Sequence, residues 1–219
     1  MKNWLGILSL SAGLALAGSA CSSNPLAEGQ RQMAAGEYAQ AVETFKALQA
    51  QSPQDPRVLN ELGLAYAKQE KNQEAEQAYQ KALKLDPAFP EAHFNLGTVY
   101  LRQMGLAEAE AEFRLALKNR PDYVKAYNNL GLALMEMGKF DEAEQNFKKA
   151  IELDSSDAMY KENLQYCQSL GKSTKENLKG LSEEKRKKEI KGQPAEKPKA
   201  NEKPTGKTPA AAPKAPSAP

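Results

Sequence analysis

The sequence is poor in the residues from which most metal centres and catalytic sites are built. Its 219 residues include one His (His93), two Cys (Cys21 and Cys167) and one Trp (Trp4). A zinc site made of His and Cys needs about four such ligands and cannot be assembled here. A Ser-His-Asp triad would have to use His93, and no glycine-rich phosphate loop is present. These absences predict a protein that is not an enzyme and has no metal or cofactor.

Net charge is also small, at a formal +2 for the whole chain, but this total hides a division. Residues 21–171 carry 16 basic and 22 acidic side chains, whereas residues 172–219 carry 13 basic and 6 acidic ones. An acidic body is therefore followed by a basic tail. The near-neutral total excludes no charged partner for either part.

Long hydrophobic runs are missing except near the N terminus. Lys2 precedes a mostly apolar stretch from Trp4 to Ala17, and small residues follow it. A basic start, an apolar segment of about 7 to 15 residues and small residues before a cleavage point predict a signal peptide over residues 1–20. The alternative is a membrane anchor. A spanning helix needs about 20 apolar residues, and Gly and Ser interrupt this stretch.

The segment Gly18-Ser19-Ala20-Cys21 resembles the lipobox of bacterial lipoproteins. The resemblance implies that Cys21 carries several acyl chains, palmitate among them, and that residues 21–26 are a lipidated tether; two or more chains anchor a protein stably. Gly18 stands where the lipobox usually has Leu, so an ordinary signal peptide with a chance Cys stays open. Ser22 follows the Cys in place of the Asp that favours inner-membrane retention, so in a Gram-negative cell the resemblance implies an outer-membrane lipoprotein facing the periplasm.

A 34-residue period organises the body. A small residue in a first helix and Ala in a second let two helices cross closely, and Pro ends a helix because it lacks an N–H. The residues that recur at this spacing are Leu62, Leu96 and Leu130; Gly63, Gly97 and Gly131; Ala75, Ala109 and Ala143; Tyr79, Phe113 and Phe147; Ala82, Ala116 and Ala150; and Pro53, Pro87 and Pro121.

This period and pattern resemble the tetratricopeptide repeat (TPR), a pair of helices that stacks into a solenoid. The resemblance implies an all-α fold, a TPR helical-hairpin solenoid over residues 27–171 with repeats at 22–55, 56–89, 90–123 and 124–157. The first repeat is degenerate, and its first helix is expected to begin near Leu26. Residues 158–171 predict a capping helix that ends at Gly171 as its C-cap.

The tail, residues 172–219, is rich in Lys, Pro and Ala and holds seven of the thirteen Pro. This composition predicts disorder. Its basic run Lys185-Arg186-Lys187-Lys188 is either a solvated linker or a contact for an anionic lipid or cell-wall polymer. No aromatic residue follows Tyr166, and this absence, with the signal peptide, argues against a nucleic-acid partner.

The two reactive residue types of the body have ordinary explanations. His93 falls among the inward-facing residues of a first helix, so a packed His is expected in place of a catalytic base. Cys167 lies at helical spacing from Leu164 and Leu170, which predicts a small buried residue and not a reactive thiol.

The TPR resemblance also implies a groove lined by the second, fifth, ninth, twelfth and thirteenth positions of each first helix. Amides there can bond a peptide backbone, and apolar side chains can accept those of a partner. The alternative is that these are ordinary exposed residues of a helical spacer. The implied groove residues are Arg57, Asn60, Leu64, Ala67 and Lys68; Glu91, Phe94, Thr98, Leu101 and Arg102; and Lys125, Asn128, Leu132, Met135 and Glu136.

Phe94 and Met135 are the main reason to predict a peptide-binding groove and not a helical spacer, because apolar residues on a solvent face call for an explanation. A clamp for a C-terminal carboxylate, as in eukaryotic co-chaperone TPRs, is not expected. Asn95 and Lys125 match two of its places, but Asn60 and Leu64 replace its first Lys and Asn.

The whole architecture resembles small TPR lipoproteins of the bacterial envelope, and most of all the type IV pilus biogenesis and stability lipoproteins, or pilotins. This resemblance implies a non-enzymatic adaptor that binds a peptide segment of an envelope partner, in type IV pilus or secretin assembly, with a membrane contact through its lipid. Two alternatives stay open: a structural link between outer membrane and cell wall through the basic tail, and an adaptor for envelope proteases or wall hydrolases.

Overall fold

The computed structural model describes residues 24–179, so the predicted signal peptide, Cys21 and the tail from residue 180 lie outside the described residues. Between residues 24 and 179 the chain is all-helical, with no strand. Its nine helices are α1 (Pro25–Ala34), α2 (Tyr38–Gln51), α3 (Pro56–Lys68), α4 (Asn72–Leu85), α5 (Pro90–Arg102), α6 (Leu106–Asn119), α7 (Val124–Glu136), α8 (Phe140–Leu153) and α9 (Ala158–Lys179).

The helices form a solenoid of antiparallel pairs. Each helix packs against the next one in the chain, and the odd-numbered helices also contact one another in order, α1 with α3, α3 with α5, α5 with α7 and α7 with α9. The odd-numbered helices therefore share one side of the stack, which we call the inner face. The predicted TPR solenoid is confirmed, and each of the four proposed repeats holds one helix pair.

Pro and short polar side chains set the helix starts. Pro25, Pro56 and Pro90 each occupy the first turn of an odd-numbered helix, where a missing N–H costs nothing. Asn24 and Asp55 cap two of these helices, and Asp55 Oδ1 accepts a hydrogen bond from the backbone N–H of Arg57 at 2.9 Å. The solenoid thus begins at Pro25, two residues before the predicted boundary.

Each hairpin crosses at a glycine that faces an aromatic ring. A Cβ added at Gly63 would lie 2.6 Å from the Tyr79 ring, and one at Gly97 would lie 2.8 Å from the Phe113 ring. Contacts this short do not occur between real carbon atoms, so only glycine lets the two helices approach. Gly29 meets Phe45 in the same way in the first repeat, a match that the sequence analysis missed.

The turn inside each hairpin uses one left-handed residue. Gly36, Glu70, Met104 and Gly138 are 34 residues apart and have φ values of 78°, 62°, 62° and 74°. Glycine adopts this region without strain, whereas a residue with a Cβ does not. Two of the four hairpins therefore carry strain at the same turn position.

The core is built mainly from the recurring small and aromatic residues. Phe113, Phe147, Leu130 and Leu134 are fully or almost fully buried in one cluster that extends from α5 to α9. A second cluster around Phe45 joins the first hairpin to α3. The residues that define the 34-residue period are thus the residues that hold neighbouring hairpins together.

Helix α9 corrects two predictions at the C-terminal end. It continues through Gly171 to Lys179, so Gly171 is not a C-cap and the first residues assigned to the tail are helical. Gly171 is buried, and an added Cβ there would lie 3.2 Å from the Phe140 Cβ. This glycine lets α9 pack closely against α8 and does not end the helix.

None of the helices that the structure describes is long and apolar enough to span a bilayer.

Candidate functional site

The inner face contains two adjoining cavities. The larger one, of about 530 Å³ and here called the main cavity, lies at the N-terminal ends of α3, α5, α7 and α9. The smaller one, of about 420 Å³ and here called the side cavity, lies between α1, α2 and α3. Glu61 and Leu64 of α3 line both of them, so the two cavities form one trough, which we call the groove.

The floor and walls of the main cavity are partly apolar. Leu64, Phe94, Tyr123 and Tyr160 line it, and the Phe94 ring lies 4.8 Å from the Tyr123 ring between centroids. Tilted aromatic pairs at this distance are favourable and rigid. The cavity therefore offers a preformed apolar surface to a partner side chain.

Arg120 is held over this aromatic surface. Its Nη2 lies 2.6 Å from Glu91 Oε1, and its guanidinium stacks 3.9 Å from the centroid of the Tyr123 ring. Burial raises the pKa of Tyr123 to about 12. Arg120, Glu91 and Tyr123 thus form one fixed polar edge of the main cavity.

Lys68, in the last turn of α3, adds a basic side chain to the groove. Burial, together with the charges of Arg102 and Lys125, lowers the pKa of Lys68. Arg102 and Lys125, which come from two other helices, contribute to this shift by charge repulsion. Lys68 lines the side cavity and Lys125 lines the main cavity, so the groove carries charge of both signs.

The structure brings only some of the predicted groove residues together. Asn60, Leu64, Glu91, Phe94 and Lys125 line the main cavity, and Lys68 lines the side cavity. Other predicted residues lie elsewhere: Arg57 pairs with its helix cap Asp55, Leu101 and Leu132 pack on the core, and Arg102 and Glu136 are exposed but line neither cavity.

The expectation that Phe94 and Met135 lie on a solvent face was wrong. Their exposed fractions are 3% and 5%, and both belong to the main core cluster. Phe94 is covered by Tyr123 and also lies 5.9 Å from Phe113. Phe94 contributes only a small part of its surface to the main cavity, and Met135 does not line it.

Buried amides explain why other predicted groove positions are closed. Asn128 is fully buried, accepts a hydrogen bond from Asn163 of α9 at 2.8 Å and donates one to Asn129 at 3.3 Å. Asn129 in turn donates to the hydroxyl of Thr98, itself buried, at 3.4 Å. These amides bond one another across helices and do not present free groups to a peptide backbone.

The amides at the clamp positions are also engaged. Asn95 donates to Asn60 Oδ1 at 2.9 Å. These two amides therefore bond each other, and Leu64 offers no polar group at the clamp position where the co-chaperone TPRs have Asn.

Several lining residues were missed by the sequence analysis. Loop residues Asp122 and Asp154, together with Tyr160 of α9, come from outside the first-helix positions that define a TPR groove. Glu61 occupies the sixth position of its repeat, one place beyond the implied fifth; Asn95, which the sequence pattern indicated only as a match to a clamp position, also occupies a sixth position. The position next to an implied groove position was the feature of the sequence from which Glu61 could have been identified as a lining residue.

His93 and Cys167 are packed, as predicted. His93 Nδ1 lies 2.6 Å from Glu112 Oε2, and its Nε2 lies 3.0 Å from the carbonyl oxygen of Pro87. The buried Cys167 thiol donates to the carbonyl of Phe140 at 3.5 Å, and burial raises the pKa of Cys167 to about 11. Neither residue faces the groove, and no cluster of metal-ligating side chains occurs between residues 24 and 179.

Comparison with known proteins agrees with this architecture. A family model described as tetratricopeptide repeat matches residues 124–157, and one described as TPR repeat matches residues 65–103. The structure of the first TPR of Spaghetti (RPAP3) bound to the HSP90 peptide SRMEEVD is 31% identical, with a TM-score of 0.52. That match covers 53% of this chain and 93% of the other.

Two further structures share the fold. MamA from Desulfovibrio magneticus RS-1, from residue 41 to its end, is 21% identical with a TM-score of 0.61, and the match covers 78% of this chain and 99% of the other. A crystal structure of MamA is 22% identical with a TM-score of 0.58, and covers 64% and 81% of the two chains. Comparison with curated proteins gives no significant match.

Stacked helical hairpins with a groove on the inner face define a protein-interaction scaffold. The chain belongs to the tetratricopeptide repeat family.

Proposed function

We propose that this protein is a non-enzymatic adaptor of the bacterial envelope that binds a peptide segment of a partner protein in its groove. The observation that carries the proposal is the preformed groove around Leu64, in which apolar surface stands next to fixed charges. This combination suits a peptide, since apolar side chains supply affinity and charges supply specificity. A TPR neighbour of 31% identity, bound to a peptide, supports the same use.

The groove is tested by Leu64→Arg, because Leu64 lines both cavities and is only half-buried. We expect this variant to lose the partner that wild type recovers from envelope extracts, with an unchanged circular dichroism spectrum and melting curve. Leu115→Arg is the matched control, since Leu115 is an exposed Leu of α6 that lines neither cavity. Equal recovery by Leu64→Arg and wild type would sink the proposal.

Attachment through Cys21 is a separate part of the proposal, and its support is the lipobox resemblance of residues 18–21. Labelling of cells with a fatty-acid probe should mark wild type and not Cys21→Ser. Fractionation of the same cells then tells whether the labelled protein resides in the outer membrane. Equal labelling of both proteins would refute the lipid anchor.

A role in type IV pilus or secretin assembly is the finer form of the adaptor proposal, supported by the resemblance of the architecture to pilotins. The measurement is the amount of assembled secretin multimer in a deletion strain that expresses wild type or Leu64→Arg. Normal multimers in the deletion strain would remove the pilus role and leave the adaptor role standing.

The second candidate function is a link to the cell wall, favoured by the excess of basic over acidic side chains in the tail. Since α9 runs to Lys179, the appropriate deletion begins at residue 180 and spares the folded end. Loss of co-sedimentation with peptidoglycan, with partner binding intact, would favour this link. Unchanged co-sedimentation would count against it.

A further inference from the structure

Glu61 occupies the junction of the groove. Of the residues from 24 to 179, this residue and Leu64 are the two that line both the main and the side cavity. Both lie on α3, with Leu64 three residues after Glu61, so they present a carboxylate and an apolar side chain on the same face of the helix. A segment lying along the groove would have to pass them.

The Glu61 carboxylate is partly desolvated, and it has no cationic partner in the part of the chain that the structure describes. Burial raises the pKa of Glu61, and the Gln30 amide donates the hydrogen bond at 3.2 Å that partly offsets this effect. Among residues 24–179 no Lys, Arg or His lies within ion-pair distance of Glu61. A half-buried carboxylate in this state is stabilised by any cation that reaches it.

The main cavity around Glu61 has an excess of negative charge. Its lining includes four carboxylates, those of Glu61, Glu91, Asp122 and Asp154, against Arg120 and Lys125. Arg120 is already paired with Glu91 at 2.6 Å. An acidic segment in this cavity would meet repulsion, whereas a basic one would meet complementary charge.

Among residues 24–179, the basic side chains that line the groove do not form an ion pair with Glu61. Lys68 is seven residues further along α3, which is about 10 Å along the helix axis at the usual rise per residue. Lys125 belongs to α7 and not to α3.

We propose that the groove selects a partner segment that places a Lys or Arg side chain against Glu61, with apolar side chains beside it. The aliphatic stem of that Lys or Arg would pack on Leu64 while its charged end reaches the carboxylate. The neighbouring apolar side chains would rest on Tyr123 in the main cavity and on Met33 in the side cavity. This inference rests on the proposed function, because it names the chemistry of the segment that the groove binds.

The test is selection of a random 12-residue peptide display library on the full-length protein. We expect the selected pool to be enriched in Lys or Arg flanked by apolar residues. A peptide from this pool should bind Glu61→Gln about tenfold more weakly than wild type, the difference between a charge-assisted and a neutral hydrogen bond. Glu136→Gln is the matched control, since Glu136 lies in an inner-face helix but lines neither cavity.

The other outcomes separate the inference from the proposed function. The selected pool could instead be enriched in acidic or uncharged peptides, and Leu64→Arg could fail to bind them. That result would overturn the inference and keep the groove as the binding site. Failure to enrich any pool would overturn both. A basic pool that binds Glu61→Gln and wild type equally would also overturn the inference.

The basic tail of the same chain is the other possible occupant. A second selection uses the full chain with Lys185, Lys187, Lys188 and Lys191 replaced by Gln. Similar basic pools from both proteins would support an external partner. A basic pool that emerges only from the substituted protein would assign the groove to the tail and overturn the proposal.

Discussion

Replacing Met104 by glycine should stabilise the protein. Met104 has a φ of 62°, at the turn position where Gly36 and Gly138 stand in two other hairpins. A residue with a Cβ loses about 1–2 kcal/mol in this region, whereas glycine loses about 0.5–1 kcal/mol through the greater freedom of its unfolded chain. The side chain is 60% exposed, so little packing is lost. The net expected gain is about 0.5–1 kcal/mol for Met104→Gly.

The gain would appear as an increase in Tm of about 1–4 °C for a folded unit of this size, measured by calorimetry or thermal circular dichroism. Glu70→Gly should have a similar effect, since Glu70 is exposed and has the same φ. Each substitution relieves backbone strain at its own turn, so the double variant should show about the sum of the two gains.

Met104→Ala is the decisive control for the turn argument. Ala removes the exposed side chain but keeps the Cβ that causes the strain, so no increase in Tm is expected. Gly138→Ala tests the reverse change: it should destabilise by about 1 kcal/mol, since nothing lies within 4 Å of its added Cβ and only backbone strain is introduced. Equal stability of Met104→Gly and Met104→Ala would refute the reasoning.

Two further predictions concern the hairpins. Gly97→Ala should destabilise by about 1–3 kcal/mol, seen in urea unfolding, because its Cβ would force the Phe113 ring out of place; an unchanged midpoint would contradict the crossing role. His93 should be doubly protonated, since both Glu112 and the Pro87 carbonyl accept hydrogen bonds from its ring. Burial alone would lower the pKa of His93, but these bonds and the nearby carboxylates raise it above its ordinary value of 6.5. The protonated His93 ring, through these hydrogen bonds, stabilises the folded protein. This stabilisation is complete below pH 6.5 and is lost as pH rises through the raised pKa of His93. His93→Gln should therefore reduce the loss of stability that wild type shows as pH rises above 6.5.

The period of the sequence was sufficient to predict the hairpins because each recurring residue acts locally. Gly63 and Tyr79 contact each other within one repeat. Their spacing in the sequence is therefore enough to predict that the two helices cross at this glycine. The pattern did not predict Gly29 as a crossing glycine, because Glu28 precedes it where the other repeats have Leu. Its contact with Phe45 nevertheless preserves the same crossing.

The end of α9 could not be predicted by the same rules. A glycine after an apolar helix is commonly a C-cap, and Gly171 satisfies that description in the sequence. Its role depends on Phe140, which lies 31 positions earlier and contacts it only after α8 and α9 have packed. A glycine for close packing and a glycine for helix termination are indistinguishable until the neighbouring helix is known.

The groove was predicted less well than the fold because its shape depends on contacts between repeats. Helical register places Phe94 and Met135 on the inner face, but it does not tell how much of that face the next helix covers. Tyr123 covers Phe94, and α9 adds Asn163 to the amide chain that reaches Asn128. Residues from other repeats and loops therefore decide which positions stay open.

The amide chain and the cavities together indicate where partner specificity resides. The middle of the inner face is closed by Asn128, Asn129 and Thr98, whose hydrogen bonds join α5 and α7. Such a satisfied buried network resists rearrangement, because breaking one bond would leave another polar group unpaired. The adaptable part of the groove is consequently its edge, where Asp122 and Asp154 come from loops between repeats. Asp122 is exposed, and exposed loop positions tolerate substitution, so the charge of this edge, and with it the partner, can change without altering the solenoid.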